Sequence, residues 1–138
     1  MSKAALVLVS HGKMAEETLK SAQMIVGNID RAYTVSMDAS GGLAGLNEKL
    51  KEVIGKIGDN GNIIVMVDLI GGTPSNSAAA ELFGNDRIRL ISGFNLGMVL
   101  EFATASIEDA DELKNHLLEV GMSGIKDVFE EMTNIMKK

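Results

Sequence analysis

The chain has 138 residues, 46% of them hydrophobic, a size at which one domain buries roughly two thirds of its unfolded surface around a single core. A net charge of −6 with only three arginines, Arg31, Arg87 and Arg89, argues against a nucleic-acid partner, which demands clustered positive charge, and aromatic content of 4% without tryptophan argues against a stacking platform. Cysteine is absent, which excludes disulfides, thiolate metal sites and a cysteine nucleophile; with no signal peptide and no run near the ~20 apolar residues of a bilayer span, a cytoplasmic protein is expected, with residues 1–138 as one domain.

The apolar run Ala4 to Val9 predicts a buried first strand over Ala4 to Ser10, which feeds directly into His11-Gly12. A helix follows from Lys13 to Val26, in which Ala15, Leu19, Ala22 and Val26 repeat at 4, 3 and 4 before Gly27-Asn28 stops it. Ala32 to Met37 alternates apolar and polar residues, as a strand near a sheet edge does. After Gly41-Gly42, Leu46, Leu50, Val53 and Ile57 give a second helix, broken by Gly58 and Gly61. The third strand, Asn62 to Asp68, carries the apolar run Ile63 to Val67 and opens into Leu69-Ile70-Gly71-Gly72-Thr73-Pro74. There Thr73 is expected as N-cap and Pro74 at the first helical position of a helix over Ser75 to Phe83. Arg87 to Ser92 alternates charged and aliphatic residues, which predicts a second edge-like strand.

Leu96 to Ala105 has almost no polar face, so it needs cover on several sides, from deep core packing or from a second subunit. A last helix begins near Asp109 with Ala110, Leu113 and Leu117 inward and weakens at Gly121 and Gly124. Ile125 to Phe129 fits strand or helix equally. Strands alternating with helices predict an α/β fold with an open, mainly parallel sheet and helices on both faces. Edge-like strands two and four around buried strands one and three give the order 2-1-3-4, whose direction reverses between strands one and three. Sites form outside the carboxyl ends of strands at such a switch point, and the residues found there are His11 and Asp68.

A neutral imidazole has one protonated nitrogen and one lone pair, and a carboxylate bonded to the first leaves the second as the nucleophile. Asp68 would orient His11 in this way and stabilise the positive charge formed on attack. No G-x-S-x-G elbow is present, so the histidine itself is the candidate nucleophile. Gly71, Gly72 and Thr73 at a helix start suit a phosphoryl group, because unpaired N–H groups and the positive end of the helix dipole favour anions. Taken singly, each feature has a plain structural reading: a surface histidine, a turn-capping aspartate, an ordinary helix start. Their convergence on one switch point carries the functional reading. His116, in the polar stretch Lys114-Asn115-His116, is expected at the surface, and the nine methionines are expected to fill the core. No cofactor and no metal ion is expected.

Three segments, Val9-Ser10-His11-Gly12, Val67-Asp68-Leu69-Ile70-Gly71-Gly72-Thr73-Pro74-Ser75-Asn76 and Ile91-Ser92-Gly93-Phe94-Asn95, resemble the IIA domains of the mannose class of the bacterial phosphoenolpyruvate-dependent sugar phosphotransferase system. The resemblance implies a phosphoryl carrier in which His11 accepts phosphate from the phosphohistidine of HPr and donates it to a IIB component. It implies Asp68 as the orienter, Nε2 as the reacting nitrogen, and Thr73 with neighbouring loop amides on the phosphoryl oxygens. It also implies a homodimer in which a late antiparallel edge strand crosses between subunits, and contact with the membrane only through the IIC/IID transporter. Some relatives carry an aromatic residue where this chain has Ile70.

Rival readings lack their residues. Receiver domains need an acidic pair near strand one to organise Mg²⁺, where this chain has Ser10-His11. Histidine phosphatases place the nucleophile in Arg-His-Gly, where this chain has serine before the histidine, and a flavodoxin-like binding module needs a hydroxyl-rich first loop.

Overall fold

A computed structural model describes residues 4–59 and 61–137. In chain order the elements are β1 (Ala5–His11), α1 (Met14–Val26), β2 (Ala32–Met37), α2 (Gly42–Ile57), β3 (Ile63–Val67), α3 (Thr73–Leu82), β4 (Ile88–Ser92), α4 (Leu96–Thr104), α5 (Ala110–Ser123) and α6 (Val128–Met136). The four strands form one parallel sheet in the order β2-β1-β3-β4, as the burial pattern of the sequence required. Strands β1 and β3 are covered on both faces, whereas β2 and β4 keep partly exposed residues.

Alternate residues of the central strands divide the core in two. Leu6, Leu8, Ile64 and Met66 pack with residues of α1, α4 and α5, including Ala15, Ala22, Val99, Phe102 and Leu117. Ala5, Val7, Val9, Val65 and Val67 pack on the opposite face with Leu46 and Leu50 of α2 and with Ala78 and Leu82 of α3. The apolar α4 touches both α1 and α5, so neighbours within the chain supply its cover. Of the two kinds of cover the sequence left open, core packing buries Met98, Val99 and Phe102.

Several elements differ from expectation. β1 runs one residue further, through His11, because His11 stays in register with Met37 and Gly12 N–H donates to the Met37 carbonyl at 2.7 Å. Helix α3 starts at Thr73, not Ser75, and its N-cap is Gly72: the Gly72 carbonyl accepts from Asn76 N–H at 2.9 Å, which places Thr73 inside the helix. Helix α5 does not fade at Gly121, because that glycine is buried where Met98 of α4 packs closest. Ile125 to Asp127 forms no ladder, and Val128 and Phe129 open α6, so among the described residues of one chain there is no fifth strand.

One expectation about side chains fails: Met66 and Met98 are buried, but Met14, Met24, Met122, Met132 and Met136 are exposed. His116 is at the surface, 35% exposed, and its Nε2 lies 2.7 Å from Glu101 Oε1, tying α5 to α4. No described helix is long and apolar enough to cross a membrane.

Candidate functional site

All four strands point the same way, so the turns after β1 and β3 open on one edge of the sheet. Ser10, fully buried, organises the first turn: its hydroxyl accepts from Ala15 N–H at 2.7 Å and donates to the Gly12 carbonyl at 3.3 Å. Serine shortly before a helical run was the available signal for this role, which the sequence argument passed over. Gly12 then turns at φ +54°. His11 is thereby fixed between a buried serine and a left-handed glycine.

Strand β3 leaves the ladder at Asp68. Its backbone N–H still donates to the Val9 carbonyl at 3.1 Å, but its side chain, 9% exposed, turns back toward β1. Asp68 Oδ2 accepts from the His11 backbone N–H at 2.9 Å and lies 2.9 Å from His11 Nδ1. An ionised carboxylate can only accept, so a bond to it requires the proton on Nδ1, and in the neutral ring the lone pair is then on Nε2. Oδ1 of Asp68 is buried without a partner among the described residues, and the bonds of the carboxylate go to His11 through Oδ2. The histidine side chain itself is 46% exposed, which leaves its outer edge open to a reactant.

Gly71 turns the next segment at φ +82°, a conformation suited to glycine. Gly72 then lies against the imidazole: a Cβ built on it would stand 3.0 Å from His11 Cε1 and 3.5 Å from Nε2. Thr73 follows, exposed, at the first position of α3. The structure therefore brings His11, Asp68 and Gly72 together, with Gly71 and Thr73 flanking them in the same loop. The third segment of the motif supports the site from the side. Gly93 and Phe94 N–H both donate to the Val67 carbonyl, at 2.8 and 3.3 Å, and Asn95 caps α4 while donating to the Gly121 carbonyl at 3.0 Å. Among the described residues no group of three or more His, Asp or Glu is placed to hold a metal ion.

The sequence profile of the family described as PTS system fructose IIA component matches residues 5–118. The chain is 29% identical over 124 residues to the mannose-specific EIIAB component of Escherichia coli K12, covering 88% of this chain and 38% of that protein. It thus spans under two fifths of that longer relative. It is 25% identical over 134 residues to the sorbose-specific EIIA component of Lacticaseibacillus casei, covering 96% of each. Among solved structures, the mannose/sorbose-specific IIA subunit of the phosphotransferase system from Enterococcus faecalis superposes with a TM-score of 0.85 at 41% identity, over 91% of this chain and 95% of that one. With a profile spanning most of the chain, a shared fold and these relatives, the chain belongs to the IIA components of the mannose-class sugar phosphotransferase system.

Proposed function

We propose that this chain is a phosphoryl carrier that accepts phosphate from phospho-HPr on His11 and passes it to a IIB component during sugar uptake. The observation that carries the reading is the pairing of His11 Nδ1 with Asp68 at 2.9 Å, with the opposite side of the ring open. The Nε2 lone pair attacks phosphorus as the bond from phosphorus to the donor's ring nitrogen breaks, and that electron pair returns to the donor imidazole. His11 then carries a phosphoryl group on a positively charged ring, still bonded through Nδ1–H to the Asp68 carboxylate. Onward transfer to IIB reverses the roles, and the electron pair of the broken bond returns to His11.

Stabilisation of the phosphorylated state comes from the Asp68 charge and from the start of α3, whose N-cap Gly72 lies against the ring and is followed by Thr73. Pro74 removes one N–H donor from that helix start, which keeps phosphate binding modest and suits a group that must be passed on. Exposed apolar side chains lie close in sequence to the two site residues: Met14, three residues after His11, at 49%, and Leu69 and Ile70, directly after Asp68, at 57% and 75%. Such residues around an open reactive ring suit transient docking of protein partners. Membrane contact runs only through the IIC/IID transporter, in the cytoplasm. A homodimer is part of the same reading, favoured by the unpaired outer edge of β4 and by an exposed apolar stripe on α6.

The test is to incubate the purified chain with phosphoenolpyruvate, enzyme I and HPr and to measure intact mass. One acid-labile phosphoryl group is expected, and none in His11→Ala. An unmodified wild-type chain, or a labelled alanine variant, overturns the reading.

A further inference from the structure

Gly71 and Gly72 adjoin one another but are glycines for different reasons. Gly71 stands at φ +82°, whereas Gly72 has φ −84° and ψ 172°, extended backbone open to any residue. Gly72 is also the N-cap of α3, where Ser, Thr, Asp or Asn would satisfy an unpaired helix N–H, and the helix has no side-chain cap. Neither backbone conformation nor helix stability therefore calls for glycine at this position. What does is the ring beside it: a Cβ at 3.0 Å from His11 Cε1 is tighter than most packed contacts, so the ring would have to give by a few tenths of an ångström, and at 3.5 Å from Nε2 it borders the outer nitrogen.

The ring cannot yield freely, because Asp68 holds Nδ1 at 2.9 Å and the His11 backbone N–H through the same oxygen. We infer that Gly72 is a positioning residue whose missing side chain is the clearance for a group bonded to His11 Nε2. It lets the ring keep its bond to Asp68 while the outer nitrogen stays open. A phosphoryl group, with three oxygens around phosphorus, spreads into the volume that a side chain at position 72 would fill. Any residue larger than glycine must push the ring off Asp68 or crowd the incoming group. The absent helix cap is the structural cost of that opening.

This inference rests on the phosphoryl-carrier reading for its choice of ligand, so its test has two arms. In the first, phosphoryl transfer from phospho-HPr is timed for wild type, Gly72→Ala and Gly72→Ser. Displacing the ring by a few tenths of an ångström is expected to slow alanine about tenfold and serine further. In the second, diethyl pyrocarbonate acylates Nε2, with the N–C bond forming as ethyl carbonate leaves, and peptide mass reports the rate at His11 alone. That rate is expected to fall in the same order. The ring ¹⁵N shifts of the alanine variant should show a weakened Nδ1–H bond, and the melting temperature of the serine variant should equal or exceed that of wild type. Wild-type rates for Gly72→Ala in either arm overturn the inference, as does a serine variant that is slow only because it is unfolded. If wild type accepts no phosphate while acylation still falls on substitution, the carrier reading fails and the clearance stands.

Discussion

At the end of β1 one carboxylate oxygen serves two donors, the backbone N–H and the ring Nδ1 of His11. Had β3 continued in the ladder, a backbone carbonyl would have taken that N–H; Asp68 replaces it with a charged acceptor that also fixes the ring. Because both bonds converge on Oδ2, Asp68→Asn with its carbonyl in that place keeps the geometry and removes only the charge. Its amide nitrogen then takes the buried, unpartnered position of Oδ1. The charge-assisted part of such a bond is worth about 1 to 2 kcal/mol, so Asp68→Asn is expected to slow transfer from phospho-HPr about tenfold. Asp68→Ala, which loses orientation as well, is expected to be slower again by quench-flow; equal rates for the two would assign the role to charge alone. Both residues were legible in the sequence because each ends an apolar run. The part played by Gly72 was not, since its contact with the ring is a side chain left out, and Thr73 was misplaced as cap because the first helical bond goes to the carbonyl one residue earlier.

Among the elements, α4 and α5 show how a glycine inside a helix earns its place through packing. A Cβ on Gly121 would stand 2.6 Å from Met98 Sδ and 2.9 Å from its Cγ, and Met98 is only 2% exposed. Overpacking costs about 1 to 3 kcal/mol, against about 0.5 to 1 kcal/mol gained by alanine in a helix. Gly121→Ala is therefore expected to lower stability by about 1 kcal/mol in urea unfolding, whereas the same change made in Met98→Ala, where the clash is gone, is expected to raise stability relative to Met98→Ala by the helix-propensity gain. A single variant more stable than wild type would show that Met98 moves aside freely. From sequence alone Gly121 read as a weak point, because periodicity carries no information about a neighbour's approach. The C-terminal segment was ambiguous for a related reason: five residues fit either period. The better signal lay just beyond it, in Asp127 followed three residues later by Glu130. The Asp127 side chain accepts from Glu130 N–H at 3.0 Å and caps α6.

At the scale of the molecule, the sheet order was readable because only strands one and three were apolar on both faces, whereas the disposition of α6 was not. That helix has no buried residue, and Val128, Phe129, Met132, Ile135 and Met136 lie exposed along it, with Ile125 just before. A nine-residue helix without tertiary support is marginal in water, so it contributes little to the stability of a single chain. Removing residues 128–138 is expected to leave the urea midpoint of a dilute sample unchanged within about 0.5 kcal/mol and to abolish self-association in sedimentation. A truncated chain that still dimerises would place the subunit contact elsewhere.

The two ends of the chain thus differ in how they are held. His11 closes a strand hydrogen-bonded on both sides and buried from Ala5 to Ser10, whereas α6 has no buried residue among those described. Free energies of local opening range from near zero at unsupported termini up to that of global unfolding at central strands. The proposed phosphoryl-accepting ring of His11 is therefore mounted on the part of the molecule expected to open last. Warming is expected to fray the C-terminal helix first, with the histidine keeping its geometry until the sheet gives way.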